Sequence, residues 1–198
     1  MGRPARYSAE TILDAAAQLA ATHGPAGSTI GAIADYLGAP TGSIYHRFGS
    51  KDVLLAELWL QTIDAFQVGF QAALSGPQPH DAGLEAALYT PRWVRAHPIP
   101  ARLLLLHNRE DFLPDGWPSE VSERAAELAT RSEAALRAFA RRALGSANAL
   151  AMRRARYAVV GLPYAAVRSH VRAHEAPPAD IDELIADAYR AVIPTGSR

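Results

Sequence analysis

Between Pro40 and Phe48 the sequence reads Pro-Thr-Gly-Ser-Ile-Tyr-His-Arg-Phe, which places two hydroxyls, a phenol, an imidazole and a guanidinium in one short segment. Only Ile44 and Phe48 are plainly apolar. A helix this short does not hold itself together by propensity, so those two residues must pack on neighbouring helices and the hydrophilic side chains must point outward. Small residues at the start let such a helix approach a groove closely, and hydroxyls reach phosphates or base edges. From Pro40 to Lys51 there are two cations and no acid, and Lys51 adds positive charge at the start of the next helix. This is the chemistry of nucleic-acid contact. Singly, each residue has a plainer reading: Tyr45 as a packing residue with a wet hydroxyl, Thr29 and Ser50 as N-caps, Arg3 and Arg6 as a solvated tail.

Other chemistry-bearing groups are weaker. His170 and His174 stand four apart on an expected helix, a spacing that can chelate a metal, but no third ligand is evident beyond Glu175. His107, Glu110 and Asp111 could form an acid–base cluster or simply end a short helix. Residues 134–174 hold eight Arg and no Asp or Glu. That stretch is either a site for an anionic partner or a set of solvated faces. The second reading expects pairs at i,i+4 spacing, Glu120/Arg124, Glu127/Arg131 and Glu133/Arg137, with Asp180, Asp182, Glu183 and Asp187 taking the remainder. No H-E-x-x-H, G-x-S-x-G, P-loop or dinucleotide fingerprint is present. The absence of cysteine removes disulfides, thiol catalysis and Cys-ligated metals, and fits a cytoplasmic address. No metal, cofactor or catalytic residue is expected.

The elements that position these residues are helical. Ala and Leu abound among the 198 residues while β-branched alternation is scarce, so the chain is expected to be all-α with about nine helices. The first should start after Ser8 and stop at Gly24-Pro25, and the second should follow Ser28-Thr29 and end at Gly38. The third runs from about Pro40 to Phe48, and a long fourth from Lys51 to Gly76-Pro77. Segments at Asp81–Ala96 and Ala101–His107, a loop near Phe112–Pro118, long helices near Ser119–Leu144 and Leu150–His174, and a last helix after Pro177-Pro178 complete the chain. Pro163 should kink the penultimate helix. The longest uncharged run, Ala15–Ala34, carries Gly24, Pro25 and Gly27 at its centre and cannot be one membrane helix.

Helices two and three, joined by Leu37-Gly38-Ala39, make a helix-turn-helix. The run Thr29-Ile30-Gly31-Ala32-Ile33-Ala34, then Leu37 to Phe48, then Ser50-Lys51-Asp52-Val53-Leu54, resembles the TetR family of transcriptional regulators. The specific match covers about the first quarter of the chain; the rest is similar only in length and helical layout. The resemblance implies a three-helix DNA-binding domain over 1–52 and a larger effector-binding and dimerisation domain over 53–198. It implies that Thr29 touches phosphate, that Thr41, Gly42 and Ser43 enter the major groove, and that Tyr45 and His46 grip backbone or base edges. Lys51 would pin a phosphate, and Arg3 and Arg6 could reach adjacent phosphate or minor groove. Pro40 stands where the family usually has a capping Ser or Thr, and Arg47 where an aromatic or His is usual, so Arg47 could add a contact.

Residues 1–52 carry four cations and four acids, so binding must rest on a few contacts per subunit and needs a second subunit. A homodimer through the last two helices is expected, where Ala158, Gly161, Ala165 and Ala166 alternate with apolar residues. Tyr89, Trp93, Phe112, Trp117, Phe139, Tyr157 and Tyr164, with Leu103 and Leu106, are candidates to line a cavity for a small, largely apolar effector, or are simply core. The expected function is a ligand-responsive repressor that binds a palindromic operator as a homodimer, with activation also open. Two other classes compete: a small helical enzyme built on His107 or the His170/His174 pair, and an interaction module whose helix-turn-helix binds protein.

Overall fold

The computed structural model describes residues 7–194; Arg3 and Arg6 lie outside the described residues. Ser8, Thr29 and Ser50 each accept a hydrogen bond from the backbone N–H three residues on, at Thr11, Ala32 and Val53 and all at 3.1 Å. These caps satisfy orphan donors of the first turn and open α1 (Ala9–His23), α2 (Ile30–Leu37) and α4 (Lys51–Leu74). Helix α3 (Thr41–Phe48) begins at Pro40 with no side-chain cap, as the missing hydroxyl requires. Then come α5 (Pro79–Ala96), α6 (Pro98–Leu106), the single turn α7 (Arg109–Phe112) and α8 (Ser119–Leu144). Helix α9 joins Ala149–Arg156, a π-helical Tyr157–Gly161 and Leu162–Arg172; α10 is Ile181–Val192. Besides a short 3-10 turn at Pro25–Gly27, the described residues thus form ten helices and no strand, one helix more than expected because Asn108 starts a separate turn.

Two cores hold these helices. The first gathers Ile12, Ala16, Ile33, Ile44, Leu54 and Leu58 and is closed by Leu103, Phe112, Val121 and Leu128 from later helices. The second gathers Leu88, Trp93, Leu105, Phe139, Val159, Val167, Ile185 and Tyr189. Helix α4 runs through both, with Leu54 and Leu58 in the first and Leu74 in the second. Gly83 of α5 permits the tightest crossing: a Cβ there would stand 2.0 Å from the Tyr189 hydroxyl and 2.5 Å from the Phe139 ring. That hydroxyl donates to the His80 carbonyl at 3.0 Å. Burial, with Asp81 nearby, pushes the Tyr189 pKa up to about 12 and keeps the phenol a donor.

The expected kink in the penultimate helix takes the form of a π turn. Pro163 has no N–H to give the carbonyl four residues back, and the Leu162 N–H reaches Tyr157, five residues back. The helix also ends earlier than expected, at Arg172, and His174 lies beyond it with φ +62°. His170 and His174 therefore do not share a helical face. Among the described residues no group of three or more His, Asp or Glu is placed to hold a metal ion, and no helix is long and apolar enough to cross a membrane.

The charge pairing is also redistributed. Arg124 and Arg131 do not pair along α8 with Glu120 and Glu127. They cross to Glu57 (2.7 Å) and Asp64 (3.0 Å) of α4. The seven-residue steps on both helices run in the same direction, so α4 and α8 are parallel where they meet. Of the three expected pairs only that of Glu133 with Arg137 forms, and Glu133 accepts Arg156 of α9 as well. On α10, Asp182 is engaged by Arg95 of α5 in a two-pronged pair (2.7 Å), and Asp187 by Arg190.

Candidate nucleic-acid interface and ligand cavity

The turn between α2 and α3 is set by Gly38, which takes φ +62° and ψ 35°, a left-handed conformation that side chains disfavour. The Gly38 N–H bonds the Asp35 carbonyl at 3.2 Å and the Ala39 N–H bonds Ala34 at 2.9 Å, which closes α2 and fixes the angle at which α3 departs. Ile44 is fully buried and Phe48 packs on the same core. The remaining face of α3 follows from that anchoring. Thr41, Gly42, Tyr45, His46 and Arg47 are exposed and Ser43 is half-buried. Thr29 is exposed at the head of α2, and its hydroxyl oxygen accepts the cap bond. Lys51 is half-buried at the head of α4. All eight residues singled out in the sequence lie on the helix-turn-helix or at the helix start beside it.

One determinant escaped the sequence reading. Tyr7 reaches over the turn and donates its hydroxyl to the Gly38 carbonyl at 2.8 Å, while Arg47 donates to the Tyr7 carbonyl at 3.4 Å. The segment before α1 is thereby tied to the turn at Gly38 and to the last turn of α3 at Arg47. Residue type alone carried no signal, because Tyr7 and Gly38 are remote in sequence. Arg47 has five N–H donors, and this bond uses one of them.

The seven large side chains proposed for an effector site do not line one cavity. Phe112 is buried in the first core against Trp59, with ring centroids 4.9 Å apart, and Trp117 packs against that same core. Phe139 is sealed under Gly83. Tyr157 is exposed on the outer face of α9, because α9 turns that side away from the bundle. Trp93 and Tyr164 do meet, at a cavity of about 170 Å³. Phe66 of α4, Thr90 of α5, Leu104 and Leu105 of α6 and Val160 of α9 complete most of its wall. Tyr89 stands behind Phe66, its ring 5.5 Å away, and rests on Gly69. Phe66, Thr90, Val94, Leu104, Leu105 and Val160 were missed as lining residues because each reads as an ordinary apolar or small position on its helix, and on α6 the wall is Leu104 and Leu105 in place of the expected Leu103 and Leu106.

Helix α6 links this cavity to the first core. Its Arg102 donates from Nε and from a terminal nitrogen to the Ala21 carbonyl in the last turn of α1, at 3.0 and 2.8 Å. His107, just past α6, lies edge-on to the Phe112 ring. Burial holds its pKa below the ordinary value, which Asp111 partly offsets and Arg102 reinforces. Asp111 itself accepts the Asn108 N–H at 2.7 Å and is committed to capping α7. His107, Glu110 and Asp111 are therefore helix-end residues, with Glu110 turned to Arg109.

Residues 12–58 match the family model of bacterial regulatory proteins, tetR family. No curated protein matches the sequence. Among solved structures, FadR from Bacillus subtilis in complex with stearoyl-CoA is 17% identical with a TM-score of 0.70, over 96% of this chain and 100% of that one. The TetR-family regulator PfmR from Thermus thermophilus is 19% identical with a TM-score of 0.68, over 94% and 99%. The superantigen PfiT is 18% identical with a TM-score of 0.71, over 99% and 100%. At these identities the likeness shows a shared fold, and one fold can carry several functions.

Proposed function

We propose, with the tetR-family segment at residues 12–58 and the all-helical fold of that family's regulators as premise, that this protein is a homodimeric transcriptional regulator. It binds a palindromic operator and represses transcription until a small apolar effector releases it. The observation that carries the DNA-binding part is the hydrophilic face of α3. Ile44 is wholly buried while Tyr45 beside it is 52% exposed, and a tight turn locks that face outward. In this reading Thr41, Gly42 and Ser43 enter the major groove. Tyr45, His46 and Arg47 contact bases or backbone, and Thr29 and Lys51 hold phosphates.

A second protomer is needed because so few cations face the duplex. Helix α9 supports one contact seam: Leu150, Tyr157, Val160 and Tyr164 are all exposed along it. Arg153 and Arg154 flank the seam, and α10 exposes Leu184 between the acids Glu183 and Asp187. Twofold pairing of α9 with the partner's α10 would bring basic and acidic faces together. The two recognition helices must then sit about 34–36 Å apart to enter successive major grooves.

Release works by population shift. An effector that binds the wrongly spaced state more tightly lowers operator affinity, and a coupling of about 1–3 kcal/mol suffices for roughly 5–150-fold. The path runs from Leu104 and Leu105 at the cavity through Arg102 to the end of α1, and along α4. The module over 1–52 and the remainder over 53–198 thus act as reader and receiver, although they share the first core. The test is selection of bound fragments from random duplexes followed by gel shift. Recovery of a twofold-symmetric site, bound in a salt-sensitive way and lost in the Tyr45→Ala/Lys51→Ala double variant, supports the reading; undiminished binding by the double variant contradicts it.

A further inference from the structure

The cavity between α4, α5, α6 and α9 has two properties that restrict what can occupy it. The first is size and polarity. At about 170 Å³ it is close to the roughly 150 Å³ apolar cavity that binds benzene in another protein, and far below the roughly 300–1,000 Å³ of drug-sized sites. The Tyr164 hydroxyl is committed to the Leu105 carbonyl at 3.1 Å, and Arg168 donates to that same carbonyl at 3.1 Å. Of the lining side chains only the Thr90 hydroxyl and the Trp93 indole N–H then remain to offer a hydrogen bond, and no charged group lines the wall. Phe66 and Trp93 meet edge to face at 5.2 Å, 82° apart, which presents both a ring face and a ring edge.

The second property is where the cavity opens. Its lining residues are buried or half-buried except Val160 and Tyr164, which are 41% and 39% exposed. Both belong to α9. Tyr164 is itself a member of the exposed series Leu150, Tyr157, Tyr164, and Val160 lies one turn from it in the π-helical segment. The mouth therefore faces the surface assigned above to the second copy.

We propose that this cavity takes one compact, uncharged apolar ring of single-arene size, and that the partner protomer closes its mouth at Val160 and Tyr164. The site is incomplete in the monomer, and a ring lodged there touches the seam directly and α6 through Leu104 and Leu105. This rests on the dimer face proposed above. A long acyl chain with a charged head does not fit a closed space of this size. The neighbouring cleft of about 390 Å³, which shares Phe66, Leu104 and Val160 but is edged by Gln71, Glu133 and Arg156, is the alternative seat for such a molecule.

Calorimetric titration of the full chain with toluene, and separately with a long-chain acyl-coenzyme A, tests this without DNA. Toluene should bind the wild type, and Val160→Trp, which fills the mouth at a partly exposed position, should weaken it at least tenfold. Val160→Phe serves as a second filling variant should Val160→Trp lower the melting temperature. Tyr157→Asp should give a monomer by sedimentation that binds toluene at least fivefold more weakly. No toluene binding, or toluene affinity unchanged in the filling variants, overturns the ligand class, as does acyl-coenzyme A binding that is abolished by Thr90→Phe, at a position that lines the smaller cavity and not the neighbouring cleft. A Tyr157→Asp protein that stays dimeric, or a monomer with wild-type affinity, overturns the closure by the partner. Failure of operator selection with toluene binding intact would count against the DNA reading alone.

Discussion

At the residue scale, function and fold make separable demands on neighbouring positions. Tyr45 and Lys51 carry no core contact that the fold needs, so Tyr45→Ala and Lys51→Ala should each weaken operator binding by about tenfold, on the order of 1–2 kcal/mol, with melting temperature unchanged. Tyr7 is the opposite case. Its hydroxyl serves the Gly38 carbonyl, and Tyr7→Phe should cost about 1 kcal/mol of stability, read by urea denaturation, while leaving the α3 side chains in place. His107 gives a pH signature. Burial lowers its pKa, so the folded state binds fewer protons than the unfolded chain as pH falls through the ordinary histidine range. The stability its neutral form contributes is complete above that range and is lost as pH drops through it. Denaturation at about pH 7 and about pH 5.5, either side of the ordinary histidine value, should show a larger loss for the wild type than for His107→Gln; equal losses would refute this role. The α3 side chains were legible from sequence because their hydrophilicity conflicts with the needs of a short helix. Tyr7 was not, since only the folded turn brings it to Gly38.

At the scale of elements, caps and breakers written in the sequence placed the helix starts at Ser8, Thr29 and Ser50, because each cap is a local bond between residues three apart. Choices between helices were not legible. Arg124 and Arg131 had acids available four residues back and instead took Glu57 and Asp64, a decision made by the packing of α8 on α4. These pairs are largely exposed and contribute about 0.2–1 kcal/mol each, so they set register more than stability. The same limit applied to the ligand site. Seven aromatic positions could be named, but which helix face meets which neighbour divided them among two cores, one cavity and solvent. Gly83 marks the tightest of these meetings, and its importance is invisible without α10. Gly83→Ala should destabilise by about 1–3 kcal/mol through overpacking, with Tyr189→Phe relieving part of the clash; calorimetric melting of the single and double variants reads both.

At the scale of the whole molecule, two cores are joined by α4 and bridged by Arg102, the connection that the proposed release requires between α6, α9 and α1. Arg102→Ala removes both donors to the Ala21 carbonyl. It should leave operator selection intact while reducing the release produced by any bound effector severalfold, measured as the ratio of operator affinities with and without ligand. The all-α architecture and its helix-turn-helix were legible because composition and one motif sufficed. The surface proposed to join two copies was legible only in outline, since the sequence named the last two helices while the exposed series on α9 needed coordinates. All of this depends on the outward face of α3 reading a duplex. The most direct measurement is selection of bound sites from random DNA by the full chain, scored alongside the Tyr45→Ala/Lys51→Ala double variant. The wild type should yield a twofold-symmetric consensus and the double variant none. A wild-type protein that enriches no sequence, or a double variant that enriches the same one, contradicts that role of α3.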